Sequence, residues 1–226
     1  MAKKDNSKSN SKNYSNKRKK VLLLGAAGRV GSGFREEYLN NKNYQKQYKL
    51  ILGVHSKSFK DKNFEVRKIS IEKYNSVKRA LKDIDVVVNL AANPDPEAKF
   101  EDLIEPNLRG AYNVFQAAAD QNCERVIYAS SIHAVKGYGH GHKVKSTESP
   151  KPVDLYGATK VFGEALCYTF FSQYGLSCLA IRVGAYTSNT KERQVCFQRH
   201  DYDHVISQRD MGQLIHKCIT APKKVG

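Results

Sequence analysis

From Val21 onward, short apolar runs alternate with stretches in which apolar residues recur at helical spacing. VLLLG (21–25), LILGV (50–54), DVVVNLAA (85–92), RVIYASS (125–131) and LSCLAIRVG (176–184) are apolar at successive positions. That is the pattern of strands buried on both faces. Between them the spacing predicts a helix through Arg35 to Leu39, and another over 71–83 with Ile71, Val77 and Leu81 inward. Residues 97–120 read as mostly helical but broken near Pro106, with Leu103, Leu108, Tyr112, Val114 and Phe115 offered for packing. Further helices are expected over 154–174 and 209–220. Strands alternating with helices need crossover connections, so the expected fold class is α/β, a Rossmann-like doubly wound parallel sheet with helices on both faces. Ligands bind such sheets at the carboxyl ends of the strands.

The first 20 residues break this pattern. They hold eight Lys or Arg, one Asp and a single aromatic residue, Tyr14. Such a stretch buries too little apolar area to offset the entropy of ordering it, so 1–20 is expected to be a disordered basic tail and 21–226 the folded domain. Part of the net charge of +16 therefore sits on a solubilising arm, or on one that touches polyanions or a membrane surface through charge alone; nothing points to a specific nucleic acid. No apolar segment follows the basic stretch as in a secretory signal, and no run approaches the ~18 residues of a membrane span. Cys123, Cys167, Cys178, Cys196 and Cys218 are odd in number with no CxxC spacing, which argues against a disulfide framework or a metal site and for a reducing, cytoplasmic setting.

Two constellations carry chemistry. The first is Gly25-Ala26-Ala27-Gly28-Arg29-Val30-Gly31, which follows the first strand and opens the first helix. Gly25 permits a tight turn, Gly28 lets the backbone approach a pyrophosphate, and Gly31 allows close helix–strand packing. The helix N-terminus then offers N–H groups and a positive dipole end to the anion. The cofactor expected is NAD or NADP. An acid should end the second strand to bind the adenosine ribose, yet Gly53-Val54-His55-Ser56-Lys57 holds none, and Arg29, Ser56 and Lys57 suit a 2′-phosphate.

The second is Tyr156-Gly157-Ala158-Thr159-Lys160, which puts Tyr and Lys on one helix face. A lysine ammonium, together with a positive nicotinamide ring, lowers the phenol pKa, so that Tyr156 takes a proton from a substrate hydroxyl as hydride leaves the same carbon. Lys160 also suits the nicotinamide ribose. Ser131 at the end of the preceding strand can hydrogen-bond the reacting oxygen, with Ser130 the competing candidate.

VLLLGAAGRVG, NLAANPDPEA, PNLRGAYNVFQAA, RVIYASSIHAV and LYGATKVFGE together resemble the extended short-chain dehydrogenase/reductase superfamily, its NAD-dependent epimerase/dehydratase group. Within it, the nearer likeness is to uronate dehydrogenases and archaeal-type NAD-dependent glucose-6-phosphate dehydrogenases. The resemblance spans Val21 to Pro222 and implies further roles. Asn107 would be the helix asparagine that supports the active-site water and backbone. Leu90, Ala91, Ala92 and Val183 would line the cofactor. His133 and Arg193 would bind substrate, Arg193 through a carboxylate. In uronate dehydrogenases the residue after the serine is Asn; here it is Ile132, which cannot donate a hydrogen bond to a sugar. Family members usually continue past the last helix, whereas this chain stops at Gly226, so a shortened C-terminal substrate region is expected.

The resulting expectation is oxidation of a sugar hydroxyl, at C1 of an anionic hexose such as a uronate or sugar phosphate, to a lactone. Alternatives are a nucleotide-sugar epimerase or dehydratase that retains NAD, and a non-catalytic dinucleotide-binding regulatory protein. A homodimer pairing through the Tyr-Lys helix is expected by analogy. The glycine-rich stretch holding His140 and His142 reads as a mobile loop, not a metal site.

Overall fold

The computed structural model describes residues 18–55, 59–139, 141–189, 191, 192, 194, 195 and 204–222. Strands β1 (Lys19–Leu24), β2 (Tyr48–Val54), β3 (Glu65–Lys68), β4 (Val86–Asn89), β5 (Arg125–Ser131) and β6 (Ser177–Val183) form one parallel sheet in the order β3-β2-β1-β4-β5-β6. The chain winds outward from β1 to β3, then returns to build β4 to β6 on the other side. The order therefore reverses between β1 and β4, which opens a crevice above their carboxyl ends.

Side chains alternate across the sheet and fill two cores. Leu22, Leu24 and Val87 point toward α3 (Tyr74–Ala80), α5 (Gly110–Asp120) and α6 (Leu155–Tyr174), meeting Val77, Phe115 and Phe170. Leu23, Val86 and Val88 point the other way, toward α1 (Arg29–Asn40), the short α2 (Lys42–Gln47) and α7 (Gln208–Thr220). Phe34, Met211, Ile215 and Ile219 close that face. A small parallel ladder, β7 (Ala185–Thr187) with β8 (Val205–Ser207), stands beyond β6.

The tail boundary moves. Residues 1–17 lie outside the described residues, but Lys19 and Lys20 already belong to β1, where Lys19 Nζ meets Glu124 at 2.7 Å and the Lys20 N–H donates to Asp85. Their charge suggested tail; their ladder partners on β2 make them strand. Pro106 does not break the helical stretch either. α4 (Phe100–Leu103) passes through a π-helical turn (Ile104–Arg109) into α5, and the Gly110 N–H reaches back to Glu105 O. The wider turn accommodates a residue with no N–H to give. Tyr112 on α5 is half-exposed, with its ring edge-on to the core residue Phe170.

A buried cation fastens the far end of the sheet. Arg125, at the start of β5, donates from Nε to Ser177 Oγ and from its terminal nitrogens to the carbonyls of Cys218, Ala221 and Pro222 at 2.7–2.8 Å. It thereby satisfies carbonyls at the end of α7 that no further turn of helix can reach. Replacing Arg125 with Ala should lower stability by about 3 kcal/mol in urea denaturation. A loss within about 0.5 kcal/mol, the range of an ordinary surface change, would show that the clasp carries little.

Candidate active site

The carboxyl ends of the central strands open into one cleft of about 1650 Å³. Gly25, Gly28, Arg29, Val30 and Gly31 line it after β1, and Leu90, Ala91 and Ala92 line it after β4. Ser131, His133, Tyr156, Lys160 and Val183 line it as well. Elements distant in the chain thus bring these side chains to a common space. Arg193 lies outside the described residues, as do Ser56 and Lys57.

The turn after β1 is built for close approach. Gly25 has φ +74, and a Cβ there would stand 2.9 Å from the Ala91 nitrogen. A Cβ on Gly31 would stand 2.3 Å from Gly25 O, so α1 lies directly on the turn. Gly28 is less crowded, its nearest neighbour being Gly25 O at 3.3 Å. No side chain caps α1, which leaves the N–H groups of its first turn to an anion. A narrow backbone cradle with an uncapped helix end fits the pyrophosphate of a dinucleotide.

The Tyr156–Lys160 helix is fixed at several points. Asp154 Oδ1 accepts the Gly157 N–H at 2.6 Å and caps α6. A Cβ on Gly157 would stand 2.5 Å from His133 O, so the first turn of α6 rests on the 3-10 turn Ile132–Val135. Further along, Gly163 admits the Tyr128 ring, which a Cβ would meet at 2.1 Å. Lys160 is 4% exposed, with Nζ donating to Ala129 O at 2.9 Å and standing over the rings of Tyr128 and Tyr156. Burial pulls its pKa down to about 8.

Tyr156 departs from the sequence expectation. Burial pushes its phenol up, the Asp154 carboxylate adds to this, and the hydrogen bond with Ser131 works the other way. Lys160 Nζ stands 5.4 Å from the centre of the Tyr156 ring and donates to Ala129 O.

The two serines separate cleanly. Ser131 Oγ accepts the His133 N–H at 3.2 Å and is hydrogen-bonded to Tyr156. Ser130 donates instead to Glu164 Oε1 at 2.6 Å, and Arg182 holds both oxygens of that carboxylate at 2.8 Å. Asn107 lies behind the cleft rather than in it. Its amide accepts from Asn93 N, donates to Asn93 O, and donates to Thr159 Oγ1, which in turn donates to Tyr156 O. It braces the catalytic helix and the loop after β4, and both its amide protons are used in doing so.

Some lining residues gave no clear signal in the sequence. Glu72, after β3, puts a carboxylate in the cleft lining, although the end of β2 has none. Burial opposes its ionisation, yet the Ser70 hydroxyl at 2.7 Å, its own N–H and nearby His55 hold it below the usual carboxylate range. It follows β3, whose sequence EVRK is too polar to read as a strand, so Glu72 looked like the start of a helix. Arg29, expected at a 2′-phosphate, is paired with Glu192 at 2.8 Å. The glycine-rich stretch is tied up: Tyr138 stacks on His142 and lies under Lys151, Tyr138 Oη donates to Ser149 O, and His142 pairs with Glu148. His140 lies outside the described residues, among which no cluster suits a metal ion.

Comparison with known proteins adds a relationship. The model of the NAD dependent epimerase/dehydratase family matches residues 21–219. The chain is 28% identical over 213 residues to NAD-dependent glucose-6-phosphate dehydrogenase of Haloferax volcanii, covering 89% of this chain and 80% of that one. It is 25% identical to uronate dehydrogenase of Pseudomonas putida, covering 90% of this chain and 72% of the relative. Among solved structures, uronate dehydrogenase of Agrobacterium tumefaciens in complex with NAD, a variant form, superposes with TM-score 0.78 at 26% identity, covering 93% of this chain and 75% of that one.

The cradle makes unequal demands on its glycines. Gly31→Ala should weaken NAD binding at least about tenfold by fluorescence titration, because Gly25 O must shift, while Gly28→Ala should cost much less. Equal effects would show that packing at Gly31 does not shape the site.

Proposed function

The chain belongs to the NAD-dependent epimerase/dehydratase family, and from that membership we propose that it oxidises a sugar hydroxyl, at C1 of an anionic hexose, to a lactone. The observation that carries the reading is the meeting of Ser131, Tyr156 and Lys160 in the cleft that also holds the pyrophosphate cradle. Bound NAD supplies the hydride acceptor. Gly25, Gly28 and the first turn of α1 would hold its phosphates, and Lys160 and Val183 would flank its nicotinamide half. Glu72 favours NAD over a 2′-phosphorylated cofactor, since a carboxylate repels a further phosphate.

Ser131 orients the sugar hydroxyl by hydrogen bonding its oxygen. Tyr156 as phenolate accepts the hydroxyl proton while hydride leaves the same carbon, turning the C–O bond into a carbonyl. Lys160 lends positive charge to the Tyr156 ring face and holds the helix to the sheet end. Outside the Arg29–Glu192 and Arg182–Glu164 pairs, Lys136, Lys143 and Lys160 line the cleft against one lining carboxylate, Glu72, among the described residues, which supports an anionic substrate. Arg193 remains the candidate partner for a substrate carboxylate. The free thiols of Cys123, Cys167, Cys178 and Cys218 support a reducing, cytoplasmic setting. No described helix is long and apolar enough to cross a membrane.

A homodimer also has support. The outward face of α6 presents Phe162 and Tyr168, Leu155 and Phe171 are exposed at its two flanks, and the two charged residues of that helix, Lys160 and Glu164, turn inward. An uncharged exposed stripe of this kind suits a second copy of the chain. Sedimentation should give a dimer that Phe162→Glu converts to monomer; a monomeric wild type would overturn the pairing.

The functional test mixes the protein with NAD and a panel of uronates, hexose phosphates and free aldoses, following absorbance of the reduced nicotinamide. Anionic hexoses should turn over, and Tyr156→Phe should cut the rate by roughly 10²–10⁴. The rate should also rise with pH and still be climbing at about pH 8, because the deprotonated phenol is the acting form and burial raises its pKa above the ordinary ~10. No turnover with any sugar despite NAD binding, or full activity in Tyr156→Phe, would refute the proposal.

A further inference from the structure

His133, which the family resemblance offers as a substrate residue, forms a pair with Asp154 at the cleft that the reaction outlined above does not use. His133 Nδ1 lies 2.6 Å from Asp154 Oδ2, and both side chains are largely buried. The imidazole meets the Tyr156 ring edge-on, with centroids 5.5 Å apart. The other oxygen of the same carboxylate accepts the Gly157 N–H at 2.6 Å. One side chain thus holds both the helix that carries Tyr156 and Lys160 and a ring that lines the cleft.

The chemistry of the pair follows from the state of Asp154. Burial opposes its ionisation, but the Gly157 N–H and His133, with Lys136 beyond, outweigh it and hold the carboxyl below the usual range. An ionised carboxylate only accepts, so the shared proton sits on His133 Nδ1. Nε2, which has no hydrogen-bond partner among the described residues, is then a lone-pair acceptor whenever the ring is neutral. The neighbouring lining side chains of the 3-10 turn, Ile132 and Val135, carry no polar atom.

We infer that Asp154 is a positioning residue that fixes His133 in its Nδ1–H tautomer, so that Nε2 accepts a hydrogen bond from a sugar hydroxyl held in register with Tyr156. The inference rests on the reading of the chain as a sugar oxidoreductase. It also names a preference: a sugar that presents a hydroxyl to His133 binds better than its deoxy analogue, since an acceptor left unmatched in a closed site is costly.

Two substitutions keep the helix cap while changing the partner. In Asp154→Asn the amide oxygen still caps α6, and the amide nitrogen donates to Nδ1, which moves the imidazole proton to Nε2. In Asp154→Ser the cap stays and the ring loses its partner. Nitrogen-15 histidine spectra of the full chain, with the His133 signals identified through His133→Gln, report the tautomer without turnover. Nδ1–H in the wild type and Nε2–H in Asp154→Asn is the expected result. An Nε2–H wild type, or one tautomer in both proteins, overturns the inference whether or not any sugar is oxidised.

In turnover, both Asp154 variants should raise the sugar KM about tenfold and leave NAD affinity within about twofold. An unchanged KM, or a joint fall of kcat and melting temperature as helix damage would produce, also overturns it. A wild type that oxidises no sugar defeats the functional reading alone, and the tautomer still decides the inference.

Discussion

Lys160 is the residue on which the arrangement of the site depends. A buried ammonium group carries a desolvation penalty of several kcal/mol unless its protons are met. Among the described residues no carboxylate meets them; the Ala129 carbonyl takes one, at 2.9 Å, and two tyrosine rings stand beside the group. That solution needs α6 pressed against the end of β5, and the press is possible because Gly163 leaves room for the Tyr128 ring and Gly157 for the His133 carbonyl. The same contact sets Tyr156 beside Ser131. A larger residue at either glycine would lift the helix and strand the charge.

Support also comes from behind. Asn107 joins the loop after β4 to Thr159, one residue before the lysine, through hydrogen bonds that use both its amide protons and its oxygen. It can do so because the π turn around Pro106 carries it to a fully buried position facing both. The Glu164–Arg182 pair ties α6 to β6 and draws Ser130 away from the cleft. The site is thus a surface of three or four functional groups held by neighbours with no freedom to spare.

Much of this was legible in the chain. Five strands read from apolar runs are present, because strands covered on both faces are apolar at successive positions. The glycine turn and the Tyr-Lys pair were readable because each depends on spacing along one element. What escaped depends on partners far away in sequence. β3 is an edge strand with polar side chains, so nothing distinguished it from a loop, and Glu72 after it was hidden for the same reason. Lys20 looked like tail until Asp85 appeared beside it. The choice between Ser130 and Ser131 turned on Glu164, and the tyrosine's upward shift on burial that no motif encodes.

The clasp at Arg125 bears on how the chain is made. A ribosome releases residues in order, and α7 completes a cover that α1 begins, with Met211, Ile215 and Ile219 joining a core most of whose other members are made much earlier. Until residue 222 has left the exit tunnel, that core lacks its α7 side and the Arg125 guanidinium lacks three of its acceptors. The nascent chain therefore carries exposed apolar surface while that stretch is made, the kind of surface that chaperones bind. The arginine waits through 97 residues for the last of the carbonyls that fasten it.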